Sequence, residues 1–139
     1  MRRIFWLFFP LLLFADASIE QRIYRSIFEA LFPTKQTLRL WSDDRKKIRQ
    51  IRLIGEPAVT FVDDPEKADI LLVFHRTDVG GHQPVLIGRY SLLRVYKDRV
   101  VAGFYWKKGR PHLIFFDRGL RRYGMKLPSR LTPYLETAP

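Results

Sequence analysis

Residues 69–75, Asp-Ile-Leu-Leu-Val-Phe-His, narrow the fold more than any other segment of this 139-residue chain. Every position from Ile70 to Phe74 is apolar, so a strand here needs cover on both faces of its pleat. A strand with one wet face alternates apolar and polar residues. An unbroken apolar run belongs to an interior parallel strand with helices packed above and below it. The flanking patterns agree. Residues 37–41 alternate and read as a strand, and 58–62 and 84–87 are brief strands. Residues 100–106 and 112–116 form a hairpin around Lys108-Gly109-Arg110-Pro111.

The helical patterns lie between these strands. Ile19, Ile23, Tyr24, Ile27, Phe28 and Leu31 recur at helical spacing. Ser18-Ile19-Glu20-Gln21 reads as a capping box for that helix, and Pro33 ends it. Asp43 and Asp44 precede a basic segment, 45–52, with Ile48 and Ile51 on one face; acid first and base last suits a helix dipole. Residues 65–68 are a helical turn, 90–95 read as helical, and 118–123 and 128–135 are short helices. Gly124 stops the first of these two. Residues 77–83, with Gly80-Gly81, are a loop. The expected fold class is α/β: a three-layer sandwich with a central mixed, mostly parallel sheet, helices on both faces, a C-terminal hairpin and short helices.

The N-terminus carries a separate message. Met1-Arg2-Arg3 is basic, 4–14 is an unbroken apolar run, and Ala15-Asp16-Ala17 supplies small residues at the two positions a signal peptidase reads. That order defines a secretory signal peptide, with cleavage expected after Ala17. The apolar run is about half the length that spans a bilayer, and Pro10 interrupts it. Without cysteine after the run, a lipid-anchored form is excluded. Residues 1–17 are therefore read as leader and 18–139 as one domain, soluble and periplasmic or secreted. The 122 residues left of 139 are enough for one core and too few for two. Absent cysteines also remove disulfides, thiolate metal sites and thiol nucleophiles.

The formal charge is +11, and losing two arginines and one aspartate with the leader leaves +10. Such a charge ordinarily suggests nucleic acid. Export removes that partner and leaves anionic membrane surfaces, acidic glycans or an acidic protein domain. Arg118, Arg121 and Arg122 fall at i, i+3 and i+4 and share a helix face; Lys126 and Arg130 extend the cluster. Tyr123, Met125 and Leu127 lie beside it, a mixture suited to a protein interface. A second candidate is the loop His75-Arg76-Thr77-Asp78. Open α/β sheets bind ligands outside the carboxyl ends of their strands, at a switch in strand order. There Arg76 can pair with an anion and Thr77 can donate to one.

Catalysis finds little support in the residue pattern. His75, His82 and His112 have no metal-ligand spacing, the serines have no base nearby in sequence, and Gly80-Gly81 is not followed by the residues of a phosphate loop. Asp43-Asp44 and Asp63-Asp64 read as helix caps. Phe104-Tyr105-Trp106 alternates, sending Phe104 and Trp106 to one face and Tyr105 to the other. A base-stacking sheet needs a second aromatic strand, so this patch reads as a structural hairpin. No enzyme, metal or cofactor is expected.

Ala68-Asp69-Ile70-Leu71-Leu72-Val73 resembles the central strand of the YfiR/HmsC-type periplasmic proteins. The C-terminal half is similar too: Val101-Ala102-Gly103-Phe104, a hairpin, Ile114-Phe115-Phe116-Asp117, Leu120, Gly124-Met125-Lys126-Leu127 and Ser129-Arg130-Leu131. The likeness covers 68–75 and 100–135. It implies a small periplasmic regulator that restrains a membrane-bound diguanylate cyclase, an enzyme of cyclic di-GMP signalling, by contact with its periplasmic sensor domain. This chain lacks the cysteines some members use, and its middle is compressed around 84–93. The expected function is regulation by protein contact, with small-molecule or anion sensing as the alternative.

Overall fold

A computed structural model describes residues 16–50, 58–75 and 78–136. Most of the expected leader, together with Ile51, Arg76 and Thr77, lies outside the described residues. The first helix, α1, spans Asp16–Leu31. Ser18 is therefore inside the helix rather than its cap, and the expected cleavage point after Ala17 falls within α1. The reason is local: Ala17, Ile19 and Glu20 tolerate helix, and no glycine or proline separates them from the apolar stripe. Ile23, Tyr24, Ile27 and Phe28 of that stripe are all buried.

The strands are β1 (Thr37–Ser42), β2 (Ala58–Phe61), β3 (Ile70–Val73), β4 (Val85–Ile87), β5 (Val100–Lys107), β6 (Arg110–Phe116) and β7 (Leu135–Glu136). They form a single sheet in the order β2-β1-β3-β4-β5-β6-β7. Only the β5–β6 pair is antiparallel. The expected α/β sandwich is the observed class. β3 is interior, between β1 and β4, and all four of its residues are buried. Its side chains feed two cores. Ile70 and Leu72 join α1 and the first-face residues Leu38, Leu40, Phe104 and Phe115. Leu71 and Val73 join Val85, Ile87, Leu92, Tyr96 and Phe116 on the second face.

Two helices frame the crossovers. The short helix α2 (Arg45–Gln50) puts Ile48 into the first-face core. On the second face, α3 (Leu93–Tyr96) sits between two 3-10 turns, so the link from β4 to β5 is one compact helical segment. The hairpin turn is tighter than the sequence pattern suggests. It is the pair Lys108-Gly109, both at positive φ (54° and 74°), the two-residue turn whose twist matches the strands. The helix α4 (Asp117–Arg122) ends where Gly124 takes φ 63° and Met125 N–H reaches back to the Leu120 carbonyl. Residues 129–134 form a 3-10 turn rather than a full helix, with Pro133 inside it, and β7 follows, pairing parallel to β6.

Asp69 pins the sheet at the start of β3. Its carboxylate accepts the Arg39 N–H at 2.8 Å and the Arg39 guanidinium at 3.2 Å, with Lys35 Nζ 3.5 Å away. Burial works to raise this carboxyl's pKa. The hydrogen bonds from Arg39 and the charges of Lys35 and Arg39 outweigh it and hold the group below the usual carboxylate range. A depressed folded-state pKa stabilises the fold above the unfolded value, about 3.9, and the contribution is lost as pH falls through the folded value. Asp69→Asn should therefore cost about 1–2 kcal/mol at neutral pH. The gap from wild type in urea midpoints should close below about pH 4.

Gly119 carries a harder constraint. A Cβ there would lie 1.9 Å from the Val100 carbonyl oxygen, a backbone atom of β5. Gly119→Ala should push α4 off β5 and cost about 3 kcal/mol or more, read by thermal denaturation.

Candidate functional site

The carboxyl ends of β1 and β3 flank the point where strand order reverses, since the chain leaves β1 outward to β2 and returns across it to β3. This is where the loop after β3 was expected to bind an anion. At the end of β3 the backbone donors go to the chain's own carboxylate. Asp43 accepts the backbone N–H groups of Phe74 and His75, each at 2.9 Å. His75 Nε2 lies 2.9 Å from Asp44 Oδ2, so its ring is engaged as well. Asp78 is exposed, and Arg76 and Thr77 are outside the described residues.

The paired aspartates thus divide their work. Asp44 caps α2 by accepting the Lys47 N–H at 3.0 Å, and that bond, with the one to His75, holds its carboxyl below the usual range. Asp43 bridges two strands and is no cap. Asp64 caps the 3-10 turn at Pro65–Lys67, while Asp63 pairs with Arg45. Asp43→Ala should leave two successive N–H groups without their acceptor and cost about 2 kcal/mol by urea unfolding, with Asp43→Asn recovering about half.

The basic cluster near the C-terminus is less uniform than its sequence. Arg121 pairs with Asp117, and Arg122 with Asp98 at 2.7 Å. Asp117 also holds the Arg121 guanidinium above its ordinary pKa. Arg118, Lys126 and Arg130 are exposed and make no salt bridge among the described residues. Tyr123, Met125 and Leu127 are half-buried against the first-face core, so they anchor this segment instead of standing out from it. Tyr123 also donates to the His82 carbonyl at 2.7 Å.

The hairpin aromatics sort as their alternation predicts. Phe104 and Trp106 face α1, where Tyr24 meets the Phe104 ring edge-on and Trp106 Nε1 donates to Glu20 Oε2 at 2.8 Å. Tyr105 faces the other way and stacks on His112, with ring centres 5.4 Å apart. The three histidines are apart from one another. His75 is at Asp44, His82 lies on the loop before β4, and His112 sits under Tyr105.

A site the sequence pattern does not reveal lies on the second face. The compact 90–99 segment covers β3 and β4, and between it and the start of α4 lies a groove of about 580 Å³. Leu93, Val100 and Phe116 line its apolar part, and Tyr90, 41% exposed, forms a wall against Phe116. Arg94, Lys97 and Arg118 stand at the rim, as do Asp98, Asp117 and Glu136. Each acid is already engaged: Asp98 with Arg122, Asp117 with Arg121, and Glu136 with the Tyr90 hydroxyl, which donates at 2.8 Å. The Glu136 hydrogen bond raises the Tyr90 pKa, so the phenol stays protonated and keeps donating at neutral pH. None of the three rim cations has a carboxylate partner among the described residues. Lys97 has φ 53° and ψ −124°, a backbone state favoured by glycine that costs a side-chain-bearing residue about 1–3 kcal/mol.

No protein-family model matches the chain, and no curated protein does. Among solved structures it is similar to the crystal structure of a conserved domain protein from Vibrio cholerae O1 biovar El Tor str. N16961. The identity is 8%, the TM-score 0.48, and the match covers 83% of this chain and 58% of that one. The chain thus spans under two thirds of that structure. No helix among the described residues is long and apolar enough to cross a membrane.

Proposed function

We propose that this chain is an exported binding protein that regulates a membrane-bound signalling protein through contact with its acidic periplasmic domain. The observation that carries the reading is the exposed basic surface of Arg118, Lys126 and Arg130 on a segment anchored by Tyr123, Met125 and Leu127. An anchored segment presents its charges in fixed positions, which is what partner discrimination needs. The leader pattern of 1–17 and the YfiR-type resemblance over 68–75 and 100–135 add the compartment and the diguanylate cyclase as the class of partner. An anionic membrane surface is a further contact for the same charges.

The test reverses charges that hold nothing in place. Lys126→Glu with Arg130→Glu removes two cations that have no salt bridge among the described residues, so stability should change by less than about 1 kcal/mol in total. Proteins captured from membrane extract are identified by mass spectrometry, and association is then measured at low and high salt. The expected result is a signalling protein with an acidic extracytoplasmic domain, associating about tenfold more slowly with the double variant at low salt and with little difference at high salt. Equal rates for both proteins in both salts remove the basic surface from the reading.

A second reading, a sensor of small organic anions, is favoured by the groove on the second face.

A further inference from the structure

We infer that the groove between the 90–99 segment and the start of α4 is a binding site for an aromatic organic anion. This goes beyond the proposed regulatory contact and does not depend on it. The volume, about 580 Å³, lies within the ~300–1,000 Å³ typical of small-molecule sites. Its body is apolar and aromatic, from Leu93, Val100, Phe116 and the Tyr90 ring, which suits a flat unsaturated ligand.

Its electrostatics are one-sided in a way the residue list conceals. Cations and carboxylates are equal in number at the rim, so a count predicts neutrality. The pairing breaks the balance. All three carboxylates have donors, two of them from arginines outside the groove lining, while Arg94, Lys97 and Arg118 have no salt bridge among the described residues. Arginines cancel Asp98 and Asp117, while Glu136 keeps its charge beside the neutral Tyr90 phenol. Three cations then outweigh one carboxylate around an apolar floor, and a carboxylate or phosphate is the group that complements the excess. Lys97 supplies an independent observation. It holds a positive-φ backbone state that glycine would adopt without strain, and strained residues of this kind concentrate at ligand sites.

Tyr90 gives the site its most specific signature. Its hydroxyl occupies Glu136, so Tyr90→Phe would keep the ring and release an unpartnered carboxylate at the rim. Anion affinity should fall while affinity for a neutral ligand of the same shape should not.

The experiment uses the full chain and two probes, 2-naphthoate and its neutral counterpart 2-naphthalenemethanol, followed by backbone amide NMR shifts during titration. The expected result is saturable binding of the acid at sub-millimolar concentration, with the alcohol about tenfold weaker. Shifts should centre on residues 90–100, 116–119 and 136. Arg94→Ala and Arg118→Ala should each weaken the acid about fivefold and leave the alcohol unchanged. Lys97→Gly should weaken the acid while raising the melting temperature by about 3 °C, a pairing that mere structural damage does not produce. Tyr90→Phe should weaken the acid alone. Equal affinity for acid and alcohol overturns the anion assignment, and binding of dodecanoate without 2-naphthoate overturns the aromatic one. Shifts centred elsewhere, or no saturation by millimolar acid, overturn the site.

Discussion

The fold depends on keeping β3 dry on both sides. Its four residues alternate between the two cores, so neither face of the sheet can be left to solvent at this strand. On the first face α1 meets the need with a long apolar stripe and with Tyr24 and Trp106 fixing its position on β5. On the second face the cover is thinner: the segment from residue 90 to 99 supplies Leu92 and Tyr96, and Ala68, Val62 and Val79 pack beside them. The segment meets β6 and β7 through Tyr90, whose ring packs on Phe116 and whose hydroxyl donates to Glu136, and the groove opens between this segment and α4.

Features carried by local periodicity were legible in the sequence. The two-sided apolar run of β3, the alternation of β1 and the hairpin aromatics depend on neighbours two to four positions away, and they fold as that spacing implies. Features decided by distant partners were not. Asp43 and Asp44 look alike in sequence, yet Asp44 caps α2 while Asp43 accepts from the two residues that follow β3, 31 and 32 positions on. β7 has two residues and no pattern of its own; its pairing with β6 is set by where the preceding 3-10 turn delivers the chain. The helix runs through Ser18, a good cap residue that nothing obliges to act as one.

The same limit applies to charge. The C-terminal arginines read as one basic face because their i, i+3, i+4 spacing says nothing about acids elsewhere. Asp98 lies 24 residues from the arginine it neutralises. Pairing therefore moves the effective positive charge away from Arg121 and Arg122, leaving it at Arg118, Lys126 and Arg130 and at the groove rim. The groove itself draws on 90–100, 116–119 and 136, and no window of sequence contains it. The only local hint is the basic-apolar mixture around Leu93-Arg94, which any amphipathic helix shares.

Arg118 belongs to both the basic surface and the groove rim, and its neighbours make that overlap consequential. Gly119 packs directly on the Val100 carbonyl, so α4 cannot move relative to β5 without breaking a backbone contact at the groove floor. Asp98, on the segment that covers the groove, is tied through Arg122 to the same helix. The cover, the floor and the basic surface are therefore joined by short, stiff connections rather than by a flexible loop. A ligand that recruits Arg118 into the groove removes one fixed cation from the outer surface, and a partner that holds Arg118 outside removes one from the groove. Linkage requires each to weaken the other by the same factor, whichever molecule arrives first.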